Sequence, residues 1–216
     1  MIMATVVGVA AAFGCAVAGW MAAPRLAGFG DRPSGWLDRR LAAVLSAVGG
    51  GCAAALSGGP VAMITFTALA VGCVWLALVD LATQRLPDRL VGPLIVIALL
   101  GLACTAIGYH QPARMLITLI TGTAVLSGYF VLGLVTGRLG LGDVKLAGLI
   151  GLVLGWAGPS QTAFGALAGF AVGAVVATGL LVFRRADRKA DFPFGPAMII
   201  GAALGLAFGP AAFPGL

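Results

Sequence analysis

Long stretches of this chain carry no charge at all, and that constrains its fold more than any other feature. The runs Ile2–Ala23, Leu41–Leu56, Val61–Val79 and Gln161–Phe183 contain no ionisable acid or base. A helix needs about 20 such residues to cross the hydrocarbon of a bilayer. Of 216 residues, 61% are hydrophobic and only 9% are charged; mean hydropathy is +1.09. A soluble domain of this length would need far more polar side chains to face water. In lipid, a helix satisfies its own backbone hydrogen bonds, so the expected class is an all-α polytopic membrane protein. The 34 glycines fit that class, because small residues let helices approach closely in a bilayer.

Eight apolar segments can be marked off. The first runs from Ile2 to Ala23 and has no basic residues before it, so it reads as a retained helix and not a secretory signal. A polar connector, Pro24 to Arg40, leads to a second segment, Leu41–Leu56, which ends at the uncharged turn Ser57-Gly58-Gly59-Pro60. The third, Val61–Val79, stops at Asp80. Asp88 opens the fourth, Arg89–Gly108, and the fifth spans Ala113–Thr136. A glycine-rich connector, Gly137–Gly142, precedes the sixth, Asp143–Trp156, which is short for a crossing. The seventh covers Gln161–Phe183, and the eighth follows Phe192-Pro193-Phe194-Gly195-Pro196 and runs to Phe208. No internal repeat or second domain is visible. The expectation is one transmembrane domain over 1–216, with N-terminal helices and a short loop in 1–60 and the functional core in 61–216.

Assigning connectors to alternate sides puts Arg25, Arg32, Arg39, Arg40, Arg85, Arg89, Arg138, Lys145, Arg184, Arg185, Arg188 and Lys189 on one side. Arg114 alone falls on the other. The positive-inside rule makes the crowded side cytoplasmic and leaves both termini outside. The net charge of +6 is thereby explained as a topology signal, and no nucleic-acid partner is expected. Cys15, Cys52, Cys73 and Cys104 are scattered one per apolar segment, without Cys-x-x-Cys spacing. That pattern predicts buried small side chains and neither a zinc site nor a disulfide framework. His110 reads as a solvated loop residue. No metal or other cofactor is expected.

All seven acidic residues are aspartates. Asp31, Asp38, Asp187 and Asp191 sit in arginine-bearing connectors, whereas Asp80, Asp88 and Asp143 each abut an apolar segment on the predicted cytoplasmic face. Ionisable groups at membrane segments are costly to place and are functional candidates by default. Two carboxylates brought together cannot both ionise cheaply, so they share a proton and titrate as a pair. Such a pair can activate water while protonating a leaving amine, as in aspartic proteases. Hydrolysis by water held between Asp80 and Asp143 is therefore one reading. Helix capping is the structural one, and it suits Asp88 best. The helix dipole favours charge on Asp143 at a helix start and disfavours it on Asp80 at a helix end. A third reading, from a different class, is a small transporter relaying protons or cations through the same two aspartates. Lys145, two residues beyond Asp143, points to another helix face.

Three blocks carry a resemblance. Asp80-Leu-Ala-Thr-Gln-Arg-Leu-Pro-Asp88, Gly140-Leu-Gly-Asp143-Val-Lys145 and Phe194-Gly195-Pro196 occur in order. Together they resemble the prepilin peptidases, aspartic membrane proteases with a GxGD motif that process type IV pilin-like precursors. The similarity runs from about Val61 to the C-terminal residue. It implies Asp80 and Asp143 as the catalytic pair and Asp88, Gly140, Gly142 and Lys145 as supporting motif residues. It also implies a prepilin-like precursor as substrate, cut at the cytoplasmic face of a prokaryotic inner membrane. Larger members carry paired Cys-x-x-Cys motifs after the first helix, associated with N-methylation. Pro24–Arg40 holds no cysteine, so the resemblance implies a peptidase without the methyltransferase half. Another GxGD protease, similar to presenilin or signal peptide peptidase, is the nearest rival. There the two aspartates lie on consecutive helices and a Pro-Ala-Leu motif follows. Here two apolar segments separate them and no such motif follows Asp143.

Overall fold

A computed structural model describes residues 2–29, 38–137, 139–182 and 193–213, with the side chains of 2–6 and 181 left out of the description. Asp31, Arg32, Arg138, Phe183, Arg184, Arg185, Asp187, Arg188, Lys189, Asp191 and Phe192 lie outside the described residues. The described residues form eight helices: α1 (Ile2–Ala27), α2 (Arg39–Leu56), α3 (Pro60–Thr83), α4 (Asp88–Gly108), α5 (Pro112–Thr136), α6 (Leu141–Ala157), α7 (Pro159–Val182) and α8 (Gly195–Ala212). Seven are long and apolar enough to cross a membrane; α6, with 17 residues, falls just short. The protein is all-α and polytopic, as its hydropathy predicts.

Several ends differ from the hydropathy reading. The first helix continues through Pro24 to Ala27, because a proline in the last turn removes only one backbone hydrogen bond. The third helix runs past Asp80 to Thr83. Its end is imposed by Gln84, which adopts a left-handed conformation (φ 54°), and by Pro87, which keeps Leu86 out of the helical region. The last helix likewise extends beyond Phe208 to Ala212 with Pro210 inside it.

The chain forms two compact units, Met1–Pro112 and Ala113–Leu216. In the first, α1 to α4 pack largely as sequential neighbours. Ala23, Leu26, Ala42, Leu78 and Val79 form a buried cluster, with Trp75 and Leu90 against it. Trp75 Nε1 donates to Ser46 Oγ at 3.2 Å, tying α3 to α2 by a polar bond inside an apolar environment. At the N-terminus of α2, Asp38 accepts from the backbone N–H groups of Arg40 and Leu41, a side-chain cap.

In the second unit α6 is the most buried helix, covered from Val144 to Trp156. Gly148, Gly151 and Gly155 form its seam with α5. A Cβ at each would lie 2.8 Å from Leu126 Cδ1, Val125 Cβ and Thr121 Cβ respectively. Helices α7 and α8 meet still more closely, with Gly201 against the backbone of Gly169 and Gly205 against that of Gly165. This is the small-residue packing that lipid-embedded helices rely on.

Candidate active site

Asp80 belongs to the first unit and sits in the last turn of α3, 3% exposed. The turn around it is heavily bonded. Gln84 N–H donates to Asp80 O at 2.7 Å, and Thr83 Oγ1 donates to Val79 O at 2.8 Å. Thr83 Oγ1 also accepts from Arg85 N–H at 3.3 Å. The Cα of Asp80 is thus fixed by helix and cap together, while its carboxyl is withdrawn from solvent.

Asp88 lies in the same unit, seven residues beyond Leu81, at the first position of α4. The expectation that it caps this helix is not met: the cap position is Pro87, whose carbonyl accepts from Leu90 and Val91 N–H. Proline there is already extended, so the helix starts one residue earlier than a capping aspartate would require. Asp88 instead places negative charge in the first turn, where the helix dipole favours it.

Gly140, Gly142, Asp143 and Lys145 are brought together in the second unit at the start of α6. Gly140 is the N-cap, and Asp143, three residues on, reaches back so that its Oδ2 accepts from Gly140 N–H at 3.2 Å. Asp143 N–H donates to Gly140 O at 3.0 Å. This is the half of a capping box that the third helical residue supplies. The Asp143 carboxyl stands at the mouth of α6, before the apolar run that starts at Val144. Gly140 has φ −73° and ψ 151°, open to any residue. The left-handed residue of this connector is Gly137 (φ 63°), so the conformational need for glycine lies there. Lys145 is partly buried one turn into the helix.

The Phe194-Gly195-Pro196 block has a definite structural task. The Phe194 ring packs at a tilt against Phe170 of α7 (centroids 5.6 Å) and Tyr129 of α5 (6.5 Å), and Tyr129 and Phe170 stack at 5.1 Å. Gly173 makes room for it: a Cβ there would sit 2.7 Å from Phe194 Cε2. The start of α8 is thereby held against α5 and α7. Tyr129 was not singled out by its sequence context, although it is buried and within electrostatic reach of Asp143. A tyrosine in the middle of an apolar run was the available signal, since a buried phenol needs a polar neighbour.

Comparison with known proteins agrees with these motifs. The type IV leader peptidase family matches residues 67–183, more than half of the chain. A prepilin leader peptidase/N-methyltransferase from Stutzerimonas stutzeri is 31% identical over 142 residues, covering 64% of this chain and 47% of that protein. Proteins of the same name from Aeromonas salmonicida and Aeromonas hydrophila are 34% identical over 155 residues, covering 67% of this chain and 50% of theirs. The chain thus spans about half the length of the curated relatives it matches. No solved structure matches it significantly. With the matched stretch running from within α3 through the whole of α7 and containing both aspartate blocks, this chain belongs to the type IV leader peptidase family.

Proposed function

We propose that the protein is a membrane aspartic endopeptidase that removes the leader peptide of type IV prepilin-like precursors at the cytoplasmic face of a prokaryotic inner membrane. Asp80 and Asp143 are the catalytic pair in this reading. Asp143, at a helix start and hydrogen-bonded by Gly140 N–H, is the more readily ionised partner and deprotonates the attacking water. Asp80 holds the proton that the leaving amine takes up. The amide C–N bond breaks as the water oxygen joins the carbonyl carbon, and no metal or covalent enzyme intermediate is needed. Asp88, Gly140, Gly142 and Lys145 support the site without doing the chemistry.

The observation that carries this reading is family membership across a stretch that holds both aspartate blocks. Relatives named prepilin leader peptidase/N-methyltransferase support the substrate class. The α1–α2 connector has no cysteine, which favours a peptidase lacking the N-methyltransferase function. Both termini outside, one domain throughout, and basic connectors inside complete the proposal. Co-expression with a pilin-like precursor tests it. Cleavage of the leader is expected from the wild type and from neither Asp80→Ala nor Asp143→Ala. Cleavage that survived both substitutions would end the aspartic-protease reading, and no cleavage even by the wild type would favour a proton-coupled transporter.

A further inference from the structure

Arg114 enters the sequence only as a topology signal, yet in the structure it is tied to α6. Its Nε donates to the backbone carbonyl of Trp156 at 2.9 Å. Its guanidinium carbon stands 4.7 Å from the centre of the Trp156 ring, within the range of a cation–π contact. Trp156 is next to last in α6 and 7% exposed. The last four carbonyls of a helix have no partner within it. Gly158 N–H takes the Leu154 carbonyl, and Arg114 takes that of Trp156. A cation at a helix C-terminus also complements the dipole.

Consider what otherwise fixes α6 along its own axis. It has 17 residues, too few to be held by interfacial residues at both faces of a bilayer. Its seam with α5 is built on Gly148, Gly151 and Gly155, which sets how closely the helices approach. Helices α7 and α8 also pack on α6; the Arg114 clamp is a specific polar and aromatic contact at the end remote from Asp143. Thirteen residues separate Trp156 from Asp143, about 20 Å of helix, and a slip of one residue would carry Asp143 about 1.5 Å. A misplacement of about 1 Å can cost roughly 100-fold in rate.

We propose that Arg114 is a positioning residue: by clamping the C-terminal end of α6 to the start of α5, it sets the axial position of Asp143 at the opposite end. The rate effect rests on the peptidase reading; the positional effect does not.

The test separates the two. Nitroxides are placed at Ile120→Cys on α5 and Leu141→Cys on α6, both well exposed at 60% and 68%. The background has Cys15, Cys52, Cys73 and Cys104 replaced by alanine. Their separation is read by double electron–electron resonance in lipid nanodiscs, and cleavage of a precursor is measured in parallel. Arg114→Leu is expected to shift the mean separation by about 1.5 Å or more and to lower kcat about 10- to 100-fold with KM little changed. Arg114→Lys keeps the charge but not the planar fork. It should shift the separation less and restore part of the rate. An unchanged separation in Arg114→Leu overturns the proposal, whatever the rate does. Should that variant fail to fold, Arg114→Lys decides alone, and an unchanged separation again overturns it. A shifted separation in a protein that cleaves no precursor even as wild type upholds the clamp and sinks the peptidase reading instead.

Discussion

The two aspartates differ in how their helices hold them. Asp80 lies inside the closing turn of α3, buried to 3% exposure and followed by a hydrogen-bonded cap at Thr83 and Gln84. Asp143 lies in the opening turn of α6, only partly buried, with its carboxyl already bonded to Gly140 N–H. One carboxyl is buried in the closing turn of its helix; the other is held by the backbone of its own helix start. Two groups held in these ways respond to different changes. The buried one resists any change of shape, and the capped one resists any change of hydrogen bonding.

That contrast can be broken or sharpened by experiment. The largest effect is expected where the two must act alike. Asp80→Asn and Asp143→Asn should each lower cleavage of a pilin-like precursor by about 10²- to 10⁴-fold, the usual worth of a positioned acid–base group. A variant retaining most of the rate would show that its carboxyl is not part of the chemistry. The next effect is where they should differ. Asp80→Glu adds a methylene at a packed position and should destabilise the fold by about 1–3 kcal/mol. Asp143→Glu, at a partly open helix mouth, should cost well under that. Unfolding of the purified variants in detergent would measure both, and equal losses would erase the distinction drawn here.

A smaller effect calibrates the cap. Asp38→Ala removes the acceptor for Arg40 and Leu41 N–H and should cost about 1 kcal/mol, with cleavage intact.

Much of the architecture is legible in hydropathy, because lipid leaves the backbone so few options. The eight segments and the shortness of α6 follow from counting apolar residues. Helix ends are less legible, since they depend on local bonding that hydropathy ignores. Asp80 looks terminal because charge interrupts an apolar run, yet Leu81 to Thr83 continue the helix until Gln84 turns left-handed. Asp88 looks like a cap because it precedes an apolar run, yet Pro87 occupies that position. The connector Gly137–Gly142 reads as glycine-rich throughout, whereas among its described residues Gly137 carries the positive φ.

The sequence by itself determined the class, the helix count and the candidate carboxylates, because a nearly uncharged chain makes each retained charge conspicuous and each apolar run a helix. Tertiary structure decided which side chains hold those helices in place. Arg114 on Trp156, Phe194 against Tyr129 and Phe170, and Trp75 on Ser46 join residues 42, 24 to 65, and 29 positions apart. No local pattern records such pairs, because they form only when separate helices pack with one particular rotation and depth.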